Sequence, residues 1–247
     1  MNLTQYHQPY SHKSESKIGI LVVHGLTSTT SSMKFMAESF ANADFNVELP
    51  QLAGHGTKWQ DLNKVSYQDW VDCLEIALQT LQKRASKIFI CGLSLGGGLS
   101  LFLANNHPEI SGLILINNIC VFTNPKYWFV PLLHHIIPAV PAVASDIKDP
   151  NEKEIAYDRT PTKAVYEMLK MLKIIRKSLP NIKQPTLIFK SKEDHVIPQK
   201  SAIFTLNNIG SKDKNLIWLN NSYHVATLDF DKELVAKKSI EFIEKLR

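Results

Sequence analysis

Cysteine is scarce in this chain: Cys73, Cys91 and Cys120 are an odd number with no metal-ligand spacing, which argues against both a disulfide framework and a thiolate zinc site. Two of the three lie within or beside apolar runs, so they read as buried free thiols of a reducing compartment. A bilayer-spanning run is also lacking. The longest apolar stretch, around Tyr127 to Val143, contains His134 and His135 and is broken by Pro131, Pro138 and Pro141. Met1 to Lys17 is polar, with neither a basic n-region nor an apolar h-region; no secretory signal is visible, and the cytoplasm is the expected location. Low-complexity tracts and internal repeats are missing too, which sets aside disorder and solenoid architectures. The net charge of +5 comes from scattered lysines, not from a basic stripe interleaved with aromatics. These lysines read as solvated surface, with attraction to anionic lipid as the lesser reading, and no nucleic-acid partner is expected.

The 247 residues, 44% of them hydrophobic, are enough for one large core, and residues 1–247 are expected to form a single α/β domain. Short, nearly continuous apolar runs recur at Ile18 to Val23, Phe45 to Leu49, Lys87 to Cys91, Gly112 to Ile116, Pro185 to Phe189 and Asn215 to Leu219. Segments of helical periodicity separate them, which predicts a mostly parallel sheet with both faces covered by helices. Met33, Met36, Ala37 and Phe40 share one helical face, as do Val71, Leu74, Leu78 and Leu81, and Ser66 is a candidate N-cap for the second helix. A last helix is predicted from about Asp231 to Leu246, with Leu234, Ile240 and Ile243 on its buried side.

One connection breaks this rhythm. The chain between Ile116 and Pro185 is too long for a simple crossover and too apolar for a linker. It predicts a cap inserted at about 118–161, then a helix from Thr162 to about Ser178. Tyr127, Trp128, Phe129, Leu132, Leu133, Ile136 and Ile137 are more hydrophobic than an exposed loop tolerates. They would form a small core of the cap, line an acyl tunnel or touch a lipid surface.

The strongest local signal is Gly92-Leu93-Ser94-Leu95-Gly96, followed by Gly97 and Gly98. As a bare pattern it would arise by chance in about one chain of ten at average glycine usage. Here it ends a strand and opens an apolar helix carrying Leu99, Leu101, Phe102, Leu103 and Ala104. That is the setting of a nucleophile elbow, a turn so sharp that its flanks must be glycine while Ser94 projects alone.

A serine hydroxyl needs a base, and the base needs an orienting acid. Ligands of parallel α/β sheets sit at the carboxyl ends of the strands, so both partners belong in loops that follow strands, the acid before the histidine. His224, past the strand ending at Leu219, fits the base; His195 adjoins the candidate acid and would point away from it. Asp194 is the candidate acid and Glu193 the runner-up. Asp213 precedes a strand and lies at the wrong end, while Asp229 and Asp231 read as capping or supporting the last helix. The backbone N–H groups of Leu26, in the loop after the first strand, and Leu95, after the serine, are the candidate oxyanion donors. His24 reads as a packed, hydrogen-bonded support of that loop, and Gly54-His55-Gly56 as a turn near the site entrance.

With these residues in place, the chain resembles the α/β-hydrolase superfamily over essentially its whole length, and within it the bacterial monoacylglycerol lipases and their carboxylesterase relatives. The resemblance is carried by Leu21-Val22-Val23-His24-Gly25, Gly54-His55-Gly56-Thr57, Gly92 to Gly97, and Glu193 to Pro198. Most specific is Asn220-Asn221-Ser222-Tyr223-His224-Val225-Ala226-Thr227-Leu228-Asp229. It implies a triad of Ser94, Asp194 and His224. Ser145 to Pro150 and Lys153 to Tyr157 resemble that family's cap, which implies a glycerol-binding role for Glu154 and a narrowing role for Val143. Leu26 and Leu95 depart from the Phe and Met of many relatives, and Phe122 to Pro141 resembles the family least. The expectation is cofactor-free, metal-free hydrolysis of a lipid ester by a monomer or homodimer, with transient contact between the cap and a membrane or lipid surface. General carboxylesterase, thioesterase and carbon-carbon hydrolase activities are the enzymatic rivals. A non-catalytic ligand-binding protein on the same fold is the rival of another class.

Overall fold

The computed structural model describes residues 3–4, 8–143 and 145–247. Seven strands form one sheet: β1 (Tyr10–His12), β2 (Ile18–Val23), β3 (Asn46–Leu49), β4 (Lys87–Leu93), β5 (Gly112–Ile116), β8 (Thr186–Ser191) and β9 (Lys214–Leu219). Their spatial order is β1-β3-β2-β4-β5-β8-β9. β1 pairs antiparallel with β3 and the other pairings are parallel. Every residue of β2, β5 and β8 is buried, as a parallel sheet covered on both faces requires. Alternation along the strands feeds two cores. Ile18, Ile20 and Val22 pack with Met33, Met36 and Phe40 of α1 (Ser31–Asn42) and Val235 of α8 (Lys232–Lys245). Leu21 and Val23 face the other way, toward α3 (Tyr67–Gln82), α4 (Leu95–Asn106), α6 (Thr162–Ser178) and α7 (Gln199–Asn208).

The predicted helical faces hold for α1 and α3, and Ser66 caps α3 in a reciprocal box. Its hydroxyl accepts from the Asp69 N–H, and Asp69 accepts from the Ser66 N–H at 2.7 Å. α8 differs: Val235, Ala236, Ser239 and Ile243 are buried, Ile240 is half-buried, and Leu234 lies 40% exposed, one position off that stripe. Asp231 stands at its N-cap without a side-chain cap bond; its carboxylate accepts from the Asn221 N–H at 2.9 Å and that of Asp229 from the Phe230 N–H at 2.9 Å, so both support the approach to the helix without capping it through their side chains. β1 and the hairpin of β6 (Ala139–Pro141) with β7 (Arg159–Pro161) were not anticipated, being three residues each and polar or proline-bearing. β8 also runs two residues beyond the apolar run, taking in Lys190 and Ser191, which the sequence places in the following loop.

After β5, Asn117 to Cys120 stay buried, and the chain then passes through a 3-10 turn (Pro125–Phe129), α5 (Val130–Leu133) and the β6–β7 hairpin. α2 (Trp59–Leu62) lies beneath, and Asn63 donates to Pro138 O at 2.7 Å. The Tyr157 N–H donates to Thr27 O at 2.9 Å and its hydroxyl to Gly54 O at 2.9 Å, fixing this segment over the loops that follow β2 and β3. The sheet order reverses direction at β2, between β3 and β4, and the crevice at the carboxyl ends of the strands opens there.

Candidate active site

Ser94 joins the end of β4 to the start of α4 with φ 56° and ψ −113°, a conformation unfavourable for any side-chain-bearing residue. Close packing enforces it. A Cβ on Gly92 would lie 2.3 Å from Gly96 O, and one on Gly96 would lie 2.2 Å from Val23 O. The Ser94 N–H donates to Ile116 O at 2.9 Å, and Ser94 O accepts from the Ile119 N–H at 3.1 Å. The elbow is thus locked to the end of β5.

Asp194 leaves β8 with a side chain fully shielded from solvent, and His224 Nδ1 bonds its Oδ2 at 3.0 Å. Its Oδ1 accepts from the backbone N–H groups of Val196 at 2.9 Å and Ile197 at 2.8 Å. Burial alone would raise this carboxyl, but the paired His224 and Lys190 outweigh burial and hold it well below the ordinary carboxylate range. Glu193 instead meets Lys148 at 3.2 Å, and His195 turns to Asp146 at 2.8 Å, leaving Asp194 and His224 as the pair the fold brings together. Asp213 reaches toward Lys245 at 3.4 Å, away from this cluster.

Ser94 and His224 both line a cavity of about 600 Å³ under the cap. Its walls are mainly apolar, including Ile119, Phe122, Tyr127, Val130, Leu133 and Met168. Leu26 lies on the wall beside Ser94, and Leu95 opens α4, where the first N–H groups have no intrahelical acceptor. The Leu26 loop carries its own strain at Thr27, with φ 64°. Glu154 and Val143 line the same cavity, the former accepting from the Ser145 N–H at 3.2 Å and the latter 66% exposed at the rim.

His24 is fully buried. Its Nε2 accepts from the Leu52 N–H at 3.2 Å and its Nδ1 bonds Gly25 O at 3.0 Å, so it supports the loop as expected. His55 is buried against His24 and Trp70 and is not among the residues of the cavity wall. Burial, reinforced by the neighbouring His24, holds the His55 imidazole well below its usual range.

Several residues around the site were missed in the sequence. Asn117, with φ 44°, donates to His224 O at 2.7 Å and Ser191 Oγ at 2.9 Å, while its Oδ1 accepts from the Ser191 N–H at 2.8 Å. Asp229, 1% exposed, accepts from the N–H groups of Tyr223 at 2.8 Å and Lys148 at 2.7 Å, and Asp146 accepts from the His224 N–H at 3.1 Å. Two carboxylates thus stitch the histidine loop to the cap. Lys190, read as a loop residue, is fully buried and bonds Asp194 Oδ2 directly. A charged residue ending an apolar strand run was the one available signal for it.

The expected cap core is not uniform. Tyr127 stacks on Phe122 with ring centroids 3.8 Å apart, but Trp128, Leu132 and Ile136 are 83%, 69% and 77% exposed. Among the described residues no helix is long and apolar enough to cross a membrane.

Residues 14–231 match the Hydrolase_4 family, described as serine aminopeptidase, S33. The chain is 39% identical over 229 residues to the thermostable monoacylglycerol lipase of Bacillus sp. (strain H-257), covering 92% of this chain and 91% of that protein. It is 26% identical over 240 residues to a carboxylesterase of Bacillus subtilis (strain 168), covering 97% of both. A solved chain from the work on LipS and LipT, two metagenome-derived lipolytic enzymes, superposes with a TM-score of 0.93 at 38% identity, covering 97% of this chain and 98% of that one. The Paleococcus ferrophilus monoacylglycerol lipase shares the fold, with a TM-score of 0.82 at 17% identity over 97% of this chain and 99% of that one. With the elbow serine, the paired acid and histidine, and these likenesses together, the chain belongs to the Hydrolase_4 family and is a serine hydrolase of the α/β-hydrolase fold.

Proposed function

We propose that this enzyme cleaves monoacylglycerols of medium or long acyl chain to fatty acid and glycerol, through an acyl-enzyme on Ser94. The observation that carries the reading is the cavity: a largely apolar chamber of about 600 Å³ with Ser94 and His224 on one wall and the carboxylates of Asp146 and Glu154 on its lining. An acyl chain suits the apolar walls, and a hydroxyl-bearing head group suits the carboxylates.

In the proposed sequence Ser94 Oγ attacks the ester carbonyl while His224 Nε2 takes its proton. Asp194 fixes the other ring nitrogen and stabilises the imidazolium. The N–H groups of Leu26 and Leu95 hold the oxyanion. His224 then protonates the departing glycerol oxygen, and a water activated by the same histidine releases the fatty acid and restores Ser94. Glu154 accepts a hydrogen bond from a free glycerol hydroxyl, and Val143 narrows the mouth.

The exposed side of the cap, with Trp128, Leu132 and Ile136, serves transient contact with a lipid surface. Leu133 and Ile137 on the same segment reach the cavity, which offers an apolar path from that surface inward. The free thiols Cys73, Cys91 and Cys120 suit a reducing cytoplasm.

The test compares kcat/KM for monoacylglycerols, alkyl esters of equal acyl length, acyl-CoA and aminoacyl anilides, in the wild type and Glu154→Ala. The reading expects monoacylglycerols to be preferred, and Glu154→Ala to lower their kcat/KM about tenfold or more while sparing alkyl esters. Equal losses on both ester classes would remove the glycerol role, and preference for the anilides would replace the ester reading with a peptidase one.

A further inference from the structure

Lys190 is the penultimate residue of β8 and is completely buried. An apolar side chain at this position would pack without desolvating a charge, so a lysine here demands compensation. All three ammonium donors find it: the Asp194 carboxylate, Ile197 O at 2.8 Å and Asn117 Oδ1 at 3.3 Å. The bond to Asp194 falls on Oδ2, the same oxygen that receives His224 Nδ1 at 3.0 Å. Asp194 does not need this lysine for its orientation, because the Val196 and Ile197 N–H groups already hold Oδ1. What Lys190 adds is a positive charge behind the carboxylate.

We propose that Lys190 is a positioning residue that sets the basicity of the catalytic histidine: by sharing Asp194 Oδ2 with His224, its ammonium offsets part of the carboxylate's field at the imidazole. This rests on the proposed triad. The sign follows directly. A positive charge sharing the carboxylate opposes a second positive charge on the neighbouring ring, so the activity range is expected to extend further toward acid with the lysine than without it. Burial pulls the Lys190 ammonium down from the usual lysine range, while the charges of Asp194 and Asp146 oppose that pull.

Other charges face this cluster: Asp146 and Glu154 from the cap, Asp229 from the histidine loop, and His195 and Glu193 from the acid loop, the last paired with Lys148. All of them remain when Lys190 alone is replaced, so the difference between two pH profiles isolates its charge.

The experiment is the pH dependence of kcat/KM on a soluble p-nitrophenyl ester for the wild type and Lys190→Met, which keeps an unbranched side chain one atom shorter and removes the charge. The acid limb is expected to move up by about one pH unit. An active Lys190→Met enzyme whose acid limb coincides with that of the wild type overturns the proposal, whatever its absolute rate, because a merely structural lysine would scale the curve without moving it. Should the variant fail to fold, the wild type decides. NMR of 15N-lysine-labelled enzyme must find Lys190 Nζ as an ammonium through the pH range of the acid limb, and a neutral amine there overturns the proposal. Failure of the triad itself is read separately, as wild-type turnover by Ser94→Ala.

Discussion

The floor and the roof of the cavity are built on opposite rules. On the floor, the polar groups that hold the histidine and its acid are buried and bonded several times over: Asp194 takes four donors, and Asn117 ties the end of β5 both to β8 and to the His224 backbone. On the outer leaf of the roof, Trp128, Leu132 and Ile136 put apolar surface into solvent. The cap combines both kinds of construction. Its second half is bonded down through Asp146, Tyr157 and the Asp229 contacts with Lys148 and Asp149, whereas the outer leaf is spent on exposed hydrophobic area. The contrast teaches where tolerance lies. Groups proposed to move protons need over-determined geometry, while a surface proposed to meet lipid needs area and little else.

Substitutions on the two sides should therefore fail in different ways. The largest effect is expected on the floor: Asp194→Asn should lower kcat on a soluble ester by about 10⁴-fold, by disturbing the tautomer and charge that His224 relies on. Steady-state kinetics with circular dichroism would check that folding is intact; a loss of only a few fold would mean that Asp194 merely supports its loop. A smaller effect of a different kind is expected on the roof. Replacing Trp128, Leu132 and Ile136 together by serine should leave turnover of a soluble ester nearly unchanged. It should weaken binding to phospholipid vesicles, and turnover of substrate presented in them, by at least about tenfold. If both substrates suffered equally, the outer leaf would be part of the catalytic chamber and the contrast would collapse.

The same contrast explains what could be read in the sequence. Strands buried on both faces announce themselves as continuous apolar runs, so the central strands were located, and α6 was placed at Thr162–Ser178, the bounds it adopts. The elbow was legible because its steric demand is local: Gly92 and Gly96 are needed wherever the turn occurs. Lys190 was illegible for the converse reason. A lysine after an apolar run ordinarily begins a loop, and this one is kept in the strand by Asp194, Asn117 and Ile197, which only the tertiary fold assembles around it. Asp146 and Asp229 act through backbone N–H groups remote in the chain, which leaves no pattern in composition or periodicity. Leu234 shows the limit of helical periodicity, since a shift of one position in the docking of α8 exposes a residue that its apolar character would bury.

The central claim is that Ser94 is a nucleophile activated by His224, and covalent capture tests it most directly. The wild type, Ser94→Ala and His224→Ala would each be exposed to a fluorophosphonate probe and analysed by intact-mass and peptide mass spectrometry. The account predicts one adduct per wild-type chain, located on the Ser94 peptide, none on Ser94→Ala, and labelling of His224→Ala slowed by orders of magnitude. Stoichiometric labelling of Ser94→Ala, or labelling of His224→Ala at the wild-type rate, would contradict it.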